Sequence, residues 1–403
     1  MIGVFLLVIL VVTGLIHWYL WARLVRATTR PRSRGRRAGT IAIIVLALLI
    51  PATIAGRQLP MAQQRVASWP GYLWLSVMFL ALSTLVVLEI PRLVMNRWPR
   101  RAPVPVGALV DGAEPATPEP ALRPPPEPAL DPSRRLFLAR SLAAVAGVTA
   151  VGTTAIGVHT ALGPPRLARR QITLGKLPRT MDRFRIALVA DIHLGPFLGR
   201  GHTQRIVDTI NGLDADLVAV VGDLVDGSVA ELGSAAEPLA RLRSRRGSFF
   251  VTGNHEYFSG YQEWIAELDS LGLTVLRNER LEVEGIHLAG VNDVTGGAYG
   301  DGPDYARALD GRDPSKPVVL LAHQPIQVHE AQRHGVDLQL SGHTHGGQIF
   351  PFGYLVRLQQ PVLAGYARFG ETQLYVTRGA GFWGPPVRVD APPDITLIEL
   401  RAP

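Results

Sequence analysis

The 403-residue chain predicts an α/β sandwich, stacked β-sheets covered by helices, preceded by an α-helical membrane region. Three observations lead there. Long uninterrupted apolar runs are confined to the first 165 residues. From Arg183 onward, short β-rich runs alternate with amphipathic stretches, the pattern of strands and helices packed in layers. Clusters of Asp, His and Asn recur just after those β-rich runs.

The membrane region comes first. Residues 2–21 form an apolar run of about 20 residues, enough to cross a bilayer as a helix. A second candidate span, 40–56, is shorter and interrupted by Pro51, and a third, 72–90, opens with Tyr72 and Trp74 at interface depth. A fourth, 142–162, is rich in Ala, Gly, Thr and Val and only mildly hydrophobic. Trp18, Trp21, Trp69 and Trp98 lie near the ends of these spans, as an aromatic belt requires. The loop 23–37 is dense in arginine and has no acid, which assigns it to the cytoplasm. The loop 57–71 carries only Arg57 and Arg65 and is expected to face outward, and Arg92, Arg97, Arg100 and Arg101 return the chain to the cytoplasm. The fourth span then delivers everything after about residue 163 to the outside. The expected location is the cell membrane, multi-pass, with the C-terminal half extracytoplasmic.

Between the third and fourth spans, 101–132 is rich in Pro, Ala and Glu and reads as an extended linker. It runs into Ser133-Arg134-Arg135-Leu136-Phe137-Leu138, which resembles a twin-arginine export signal ahead of a weakly hydrophobic helix. No clear small-x-small cleavage site follows, so a retained anchor is expected. The domain plan is three spans in 1–100, a linker at 101–132, the twin-arginine-like signal and fourth span in 133–165, and a globular domain in 166–403.

The net charge of +8 is carried largely by arginines between the apolar runs, so topology explains it better than nucleic acid, and no nucleic-acid partner is expected. Arg166, Arg169 and Arg170 follow the fourth span directly and could meet anionic headgroups or serve only as its flank. The spans hold almost no ionisable residue apart from His17 and Glu89, each near an end, which favours an anchor over a transport path. The chain has no cysteine, which excludes disulfides, Cys-ligated zinc and a thiol nucleophile. Any metal must be held by His, Asp, Asn or Glu, a donor set suited to Mn, Fe or Zn.

In the C-terminal half, 185–190, 217–221 and 248–252 read as strands, with helices at 203–211, 236–242 and 261–271 between and after them. Further strands are expected at 286–290, 318–322, 338–340, 374–376 and 395–400. Asp191-Ile192-His193 follows the first strand, Gly222-Asp223 the second and Gly253-Asn254-His255-Glu256 the third. His323 follows 318–322, and Gly342-His343-Thr344-His345 follows 338–340. Polar residues at strand exits converge on one rim of a sheet, where α/β folds place their sites. One Asp-x-His or His-x-His is common; five clusters in order, each at a strand exit, are very hard to obtain by chance.

The order Asp191-x-His193, Gly222-Asp223-x-x-Asp226, Gly253-Asn254-His255-Glu256, His323, Gly342-His343-x-His345 resembles the calcineurin-like metallophosphoesterase superfamily over about residues 183–400. The continuation Gly346-Gly347-Gln348-Ile349-Phe350-Pro351, with Thr377-Arg378-Gly379 and Pro385-Pro386, is similar to a membrane-anchored or twin-arginine-exported bacterial branch. The resemblance implies two stacked mixed β-sheets flanked by helices, and a centre of two divalent metal ions. Carried over by motif, it implies that Asp191, His193 and His345 hold the first ion, that Asn254, His323 and His343 hold the second, and that Asp223 bridges both. It further implies that His255 is the acid or transition-state contact, that Glu256 orients His255, and that Asp226 buttresses the loop.

Two divalent ions about 3.5–4 Å apart can share a water, lower its pKa and neutralise charge on phosphoryl oxygens. His255 could protonate the leaving alkoxide. The expected function is hydrolysis of phosphodiester or phosphomonoester bonds by a metal-bridging hydroxide. The expected partners are membrane lipids and a phosphoester substrate, either a phospholipid or a cell-envelope polymer, selected by the loops 195–202 and 293–304. The alternative is a catalytically silent, membrane-tethered metal-binding or sensing protein; the complete ligand set and intact His255 argue against it.

Overall fold

The computed structural model describes residues 2–97 and 132–403, with side chains described for 10–90 and from residue 135 on. Four long helices make up the apolar part: α1 (Ile2–Leu20), α2 (Arg34–Gly56), α3 (Met61–Arg97) and α4 (Pro132–Leu162). Within them Arg34–Gly56, Met61–Ile90 and Arg135–Leu162 are long and apolar enough to cross a membrane. The first expected span falls on α1, whose side chains before residue 10 lie outside the described residues, and so does the expected linker up to Pro132. The second span was expected to break at Pro51, but α2 runs through it. A proline there removes one N–H donor and crowds the carbonyl of Ala47, which an apolar helix tolerates where local hydroxyls add bonds; Thr53 Oγ1 donates to Leu49 O at 2.8 Å in the same stretch. Glu89 accepts an ion pair from Arg23 at 2.7 Å and a hydrogen bond from Tyr19 at 3.0 Å.

The chain falls into two compact units, Met1–Leu48 with Met78–Ala150, and Leu49–Val77 with Val151–Pro403. The second contains the turn between α2 and α3, the last turns of α4 and the whole globular domain. Its strands are β1 (Arg166–Thr173), β2 (Phe184–Val189), β3 (Leu217–Val221), β4 (Ser248–Val251), β5 (Leu273–Val275), β6 (Glu279–Val283), β7 (Ile286–Gly290), β8 (Val318–Leu321), β9 (Leu338–Ser341), β10 (Gly365–Phe369), β11 (Thr372–Val376) and β12 (Asp394–Arg401). The helices are α5 (Arg200–Asn211), α6 (Val229–Ala236), α7 (Asn254–Ser259), α8 (Tyr261–Ser270), α9 (Tyr305–Leu309), α10 (Val328–Arg333) and α11 (Gly353–Val356).

Two six-stranded mixed sheets form, in the orders β1-β12-β2-β3-β4-β5 and β10-β11-β9-β8-β7-β6. Strands β2 to β5 run parallel, as do β7, β8, β9 and β11. Side chains alternate across each strand, so one parity packs between the sheets: Ile186, Leu188, Ala219 and Val251 meet Leu288, Val319, Leu321 and Leu340 there. The other parity of the first sheet, such as Val189, Val218, Val220 and Phe250, packs under α5, α6 and α8 with Ile206, Ile210, Leu232 and Trp264. Central strands buried on both faces read as the near-continuous apolar runs visible in the sequence.

Four strands were not anticipated: β1, β5, β6 and β10. Each is the outermost strand of its sheet. An edge strand is paired on one side only and needs no apolar alternation, so it leaves little trace in the sequence. For β1 this adds a third role to the two readings of Arg166, Arg169 and Arg170, headgroup contact or flank of the fourth span. They lie on a strand running parallel to β12, in register with Asp394, Leu397 and Ile398, and the Arg170 guanidinium sits 4.8 Å from the Tyr366 ring centre.

Candidate metal centre

Asp191 and His193 follow β2, Asp223 follows β3, and Asn254 opens α7 after β4. His323 follows β8, while His343 and His345 follow β9. The residues therefore come from the C-terminal ends of strands in both sheets, not from one sheet rim. The backbone turns sharply at each exit: φ is +53° at Asp191, +49° at His193, +53° at Asp223, +73° at His343 and +52° at His345. A left-handed conformation at a non-glycine residue is costly and persists only where the surroundings enforce it, which is typical of functional sites. Gly222 is itself left-handed at +74°, and a Cβ there would come within 2.6 Å of Gly253 N and 2.7 Å of His323 Nδ1. Only a glycine lets the exits of β3, β4 and β8 approach this closely.

The side chains converge into groups. Asp191, His193 and His345 each offer a ligand atom, all within 4.8 Å of one another, and Asp223, His323 and His343 do the same. His193 Nε2 and His345 Nε2 lie 3.0 Å apart, and His343 Nδ1 and His323 Nε2 lie 3.2 Å apart. Asp223 stands between the groups, with Oδ2 3.1 Å from His323 Nε2 and 3.8 Å from His193 Nε2. The Asn254 Oδ1 atom is buried without a hydrogen-bond partner among the described residues. A buried carbonyl oxygen left unpaired is costly, and a cation would satisfy it. Ring nitrogens facing each other beside buried carboxylates, together with that orphan oxygen, fit a site for metal ions.

The electrostatics agree. Burial, with the nearby His323 charge second, pushes the His343 imidazole down to about 3, and burial with the Arg388 charge holds His345 well below the usual range. Both rings are thus neutral and keep lone pairs for ligation. Burial would raise the Asp223 carboxyl, but the charges of His323, His255 and His193 hold it well below the usual carboxylate range. Asp191 goes the other way, raised chiefly by burial. Its two oxygens both accept the His343 N–H, at 2.8 and 3.0 Å.

A third group joins His193 and His255 through Asp226. Asp226 Oδ1 lies 2.9 Å from His193 Nδ1 and 2.6 Å from His255 Nδ1. The sequence reading had Glu256 orient His255, and the geometry assigns that contact to Asp226. The Glu256 carboxylate is taken up by backbone N–H groups, accepting from Gly253 at 2.6 Å, Leu224 at 2.7 Å and Asp223 at 3.0 Å. Its longer arm reaches under the turn rather than across to the imidazole. Burial lowers the His255 pKa, yet the charges of Asp223 and Asp226 outweigh it and raise the group to about 9. His255 lies beside two exposed rings, Phe258 at 5.7 Å and Trp383 at 5.8 Å between centroids.

Arg388 was not singled out from the sequence. Its fully buried guanidinium donates to the carbonyls of His345 (2.7 Å), Gly381 (3.0 Å) and Ala391 (3.2 Å), and lies 3.0 Å from His345 Nδ1. It fixes the position of that ring. The one available signal was an arginine two residues after Pro385-Pro386, which nothing local connects to His345.

Beside His193 and Asp226 opens a cavity of about 50 Å³. Its walls include Phe197 and Phe382 from the domain, Arg57 from the α2–α3 turn, and Gln64 and Tyr72 from α3. Trp69 and Tyr72 pack edge-on against Phe197 at 5.2 and 5.9 Å. Met61 packs against the apolar core under α5 and α6.

A calcineurin-like phosphoesterase family model matches residues 184–347. The chain is 41% identical over 272 residues to an uncharacterized metallophosphoesterase of Helicobacter pylori, covering 67% of this chain and 73% of that protein. It is 41% identical over 259 residues to a transmembrane protein with metallophosphoesterase domain of Danio rerio, covering 61% of this chain and 59% of that protein. With an uncharacterized metallophosphoesterase of Bacillus subtilis it shares 30% identity over 286 residues, covering 67% of this chain and 98% of the relative. The chain thus spans about three-fifths of the length of the Danio rerio protein and nearly all of the Bacillus subtilis one.

Proposed function

We propose that this chain, which belongs to the calcineurin-like metallophosphoesterase family, is a membrane-anchored, extracytoplasmic hydrolase that uses two divalent cations to cleave phosphodiester or phosphomonoester bonds of envelope or lipid-derived substrates. The observation that carries the two-cation reading is the pair of ligand groups flanking Asp223, with the unpaired Asn254 oxygen beside them. Asp191, His193 and His345 would hold one cation, Asn254, His323 and His343 the other, and Asp223 both. Mn, Fe and Zn all suit these donors. When bound, such cations supply Lewis acidity and lower the pKa of water to near neutrality.

The remaining work falls to side chains of the chain itself. His255, raised to about 9, holds its proton at neutral pH. Asp226 engages its Nδ1, which leaves Nε2 as the atom that can deliver a proton to a leaving alkoxide. The same carboxylate orients His193, so one residue sets both a ligand and an acid. Arg388 and Glu256 hold the turns that carry His345 and Asp223.

The extracytoplasmic assignment draws support from the α2–α3 turn. That turn belongs to the same compact unit as the globular domain, and its Arg57, with Gln64 and Tyr72 from the first turns of α3, walls the cavity beside His193. The turn carries few arginines, whereas the loop at the other end of α2 is dense in them, the asymmetry of an outward-facing turn. The paired Arg134 and Arg135 ahead of the fourth span are consistent with export of a folded, metal-loaded domain.

The test is to strip the full-length protein with a chelator, restore Mn, Fe or Zn separately, and assay aryl phosphate mono- and diesters. Turnover should vanish with the metal and return with at least one ion. For Asp223→Asn, bound metal should fall from about two ions per chain to one or fewer, with activity no better than that of the stripped chain. Unchanged metal content and rate in that variant would sink the shared-ligand assignment. A reporter fused after residue 403 should signal from outside the cytoplasm; a cytoplasmic signal overturns the topology.

A further inference from the structure

The last turns of α4 pack directly on the globular domain. Gly157, little more than one turn before α4 ends at Leu162, accepts the Arg388 N–H through its carbonyl at 3.0 Å. A Cβ on Gly157 would come within 2.5 Å of Val387 and 3.1 Å of Val389, so the segment 387–389 lies directly on the helix. Gly157 is inside the apolar stretch Arg135–Leu162, so this edge of the domain packs on the last turns of a helix long and apolar enough to cross a membrane. Only residues 163–165 separate α4 from β1, a tether of at most about 10 Å.

The next row of backbone continues in the same direction. Val389 pairs with Ile349, its N–H donates to Gln348 O at 2.8 Å, and Phe350 N–H donates to Val389 O at 3.2 Å. Neighbouring rows are about 4.8 Å apart, so residues 348–350 lie close to α4 as well. The chain then exposes Phe350, Phe352, Tyr354, Leu355 and Leu358, at 53%, 45%, 67%, 56% and 84%, with Arg357 exposed among them. Aromatic and aliphatic side chains around an arginine are the composition of a headgroup boundary, and so large an exposed apolar cluster needs a cover. The cluster is also coupled to the catalytic mouth. Gln348 Nε2 donates to Trp383 O at 2.8 Å and its Oε1 accepts from Trp383 N–H at 3.1 Å, and Trp383 is the ring beside His255.

We propose that residues 350–358 form an interfacial lip that dips into the bilayer surface beside α4 and turns the catalytic mouth towards phosphate headgroups of lipids in that leaflet. The proposal rests on the phosphoesterase reading and narrows its substrate to membrane-resident lipid phosphates. The cavity beside His193 is walled by Arg57 of the α2–α3 turn and by Gln64 and Tyr72 of α3, so a headgroup would meet elements joined to the apolar helices there too.

The native chain has no cysteine, so single labels are clean. In nanodiscs of phosphatidylcholine and phosphatidylglycerol, a nitroxide on full-length Leu358→Cys should relax with oxygen and resist an aqueous nickel chelate. A label on Glu371→Cys, whose side chain is 97% exposed in the β10–β11 turn, should do the reverse. Equal water access at both positions overturns the lip. Phe352→Ser, Leu355→Ser and Leu358→Ser combined should leave turnover of a soluble aryl phosphate within about twofold while cutting hydrolysis of phosphatidic acid or phosphatidylglycerol in the same discs about tenfold or more. Equal losses on both substrates, or no loss on the lipid, overturn the lip's role. Wild-type protein that cleaves the aryl ester but neither lipid overturns the lipid assignment. Wild-type protein inert to every ester overturns the enzyme reading itself, while the depth labels still decide the lip.

Discussion

The loop after β3 that carries Asp226 and the turn after β4 that carries Glu256 both end beside His255, and they use their carboxylates in opposite ways. Asp226 points at imidazoles, with one oxygen shared between His193 and His255. Glu256 points at the main chain, with its oxygens filled by three backbone N–H groups. The electrostatics follow the same division. Although burial opposes it, the histidines hold Asp226 far below the ordinary carboxylate range, whereas burial and the Asp223 charge push Glu256 up to about 7. One carboxylate therefore sets the state of two imidazoles and the other holds a turn together. Proximity to His255 does not reveal which job a carboxylate does; the donors that reach it do.

This contrast can be broken by substitution. The largest effect is expected at the group the two carboxylates flank: His255→Asn should lower kcat by about 10²–10⁴ while leaving metal content unchanged, measured by steady-state kinetics beside elemental analysis. A loss of metal equal to the loss of rate would make His255 a ligand instead. Next comes Asp226→Asn, expected to cost about 10–100-fold in activity or metal affinity. Because the Asp226 charge raises His255, its removal should also move the alkaline limb of the kcat/KM profile to lower pH. An unmoved limb would deny the contact its electrostatic role. The smallest effect on chemistry is expected from Glu256→Gln, which places an NH2 group among N–H donors. Thermal unfolding should show a destabilisation of about 1–3 kcal/mol, with the pH limb moved less than by Asp226→Asn, because the Glu256 charge raises His255 less than the Asp226 contact does. If Glu256→Gln shifts that limb further than Asp226→Asn does, the two roles have been assigned the wrong way round.

Much of the fold was legible in the sequence for one reason. Strands β2, β3, β4, β7, β8 and β9 are central and buried on both faces, so β2, β3, β4 and β8 are written as largely apolar runs, β7 and β9 admit only His287, Gln339 and Ser341 as buried polar residues, and each ligand cluster follows one of the six. The edge strands β1, β5, β6 and β10 are under no such constraint, and Arg166, Arg169 and Arg170 on β1 looked like the flank of a helix. Of the site, the ligand-type residues could be read because each is adjacent in sequence to its strand. Arg388 could not, because its bond to His345 joins residues 43 positions apart through loops.

The sequence by itself determined the elements, the order of the clusters at their exits and the apolar spans, because burial and membrane thickness act on contiguous residues. The tertiary structure alone decided which carboxylate meets His255, that the candidate centre is shared between two sheets, and that the α2–α3 turn and the last turns of α4 belong to one compact unit with the globular domain. Those outcomes depend on side-chain reach and on packing between distant segments, and no local pattern encodes either.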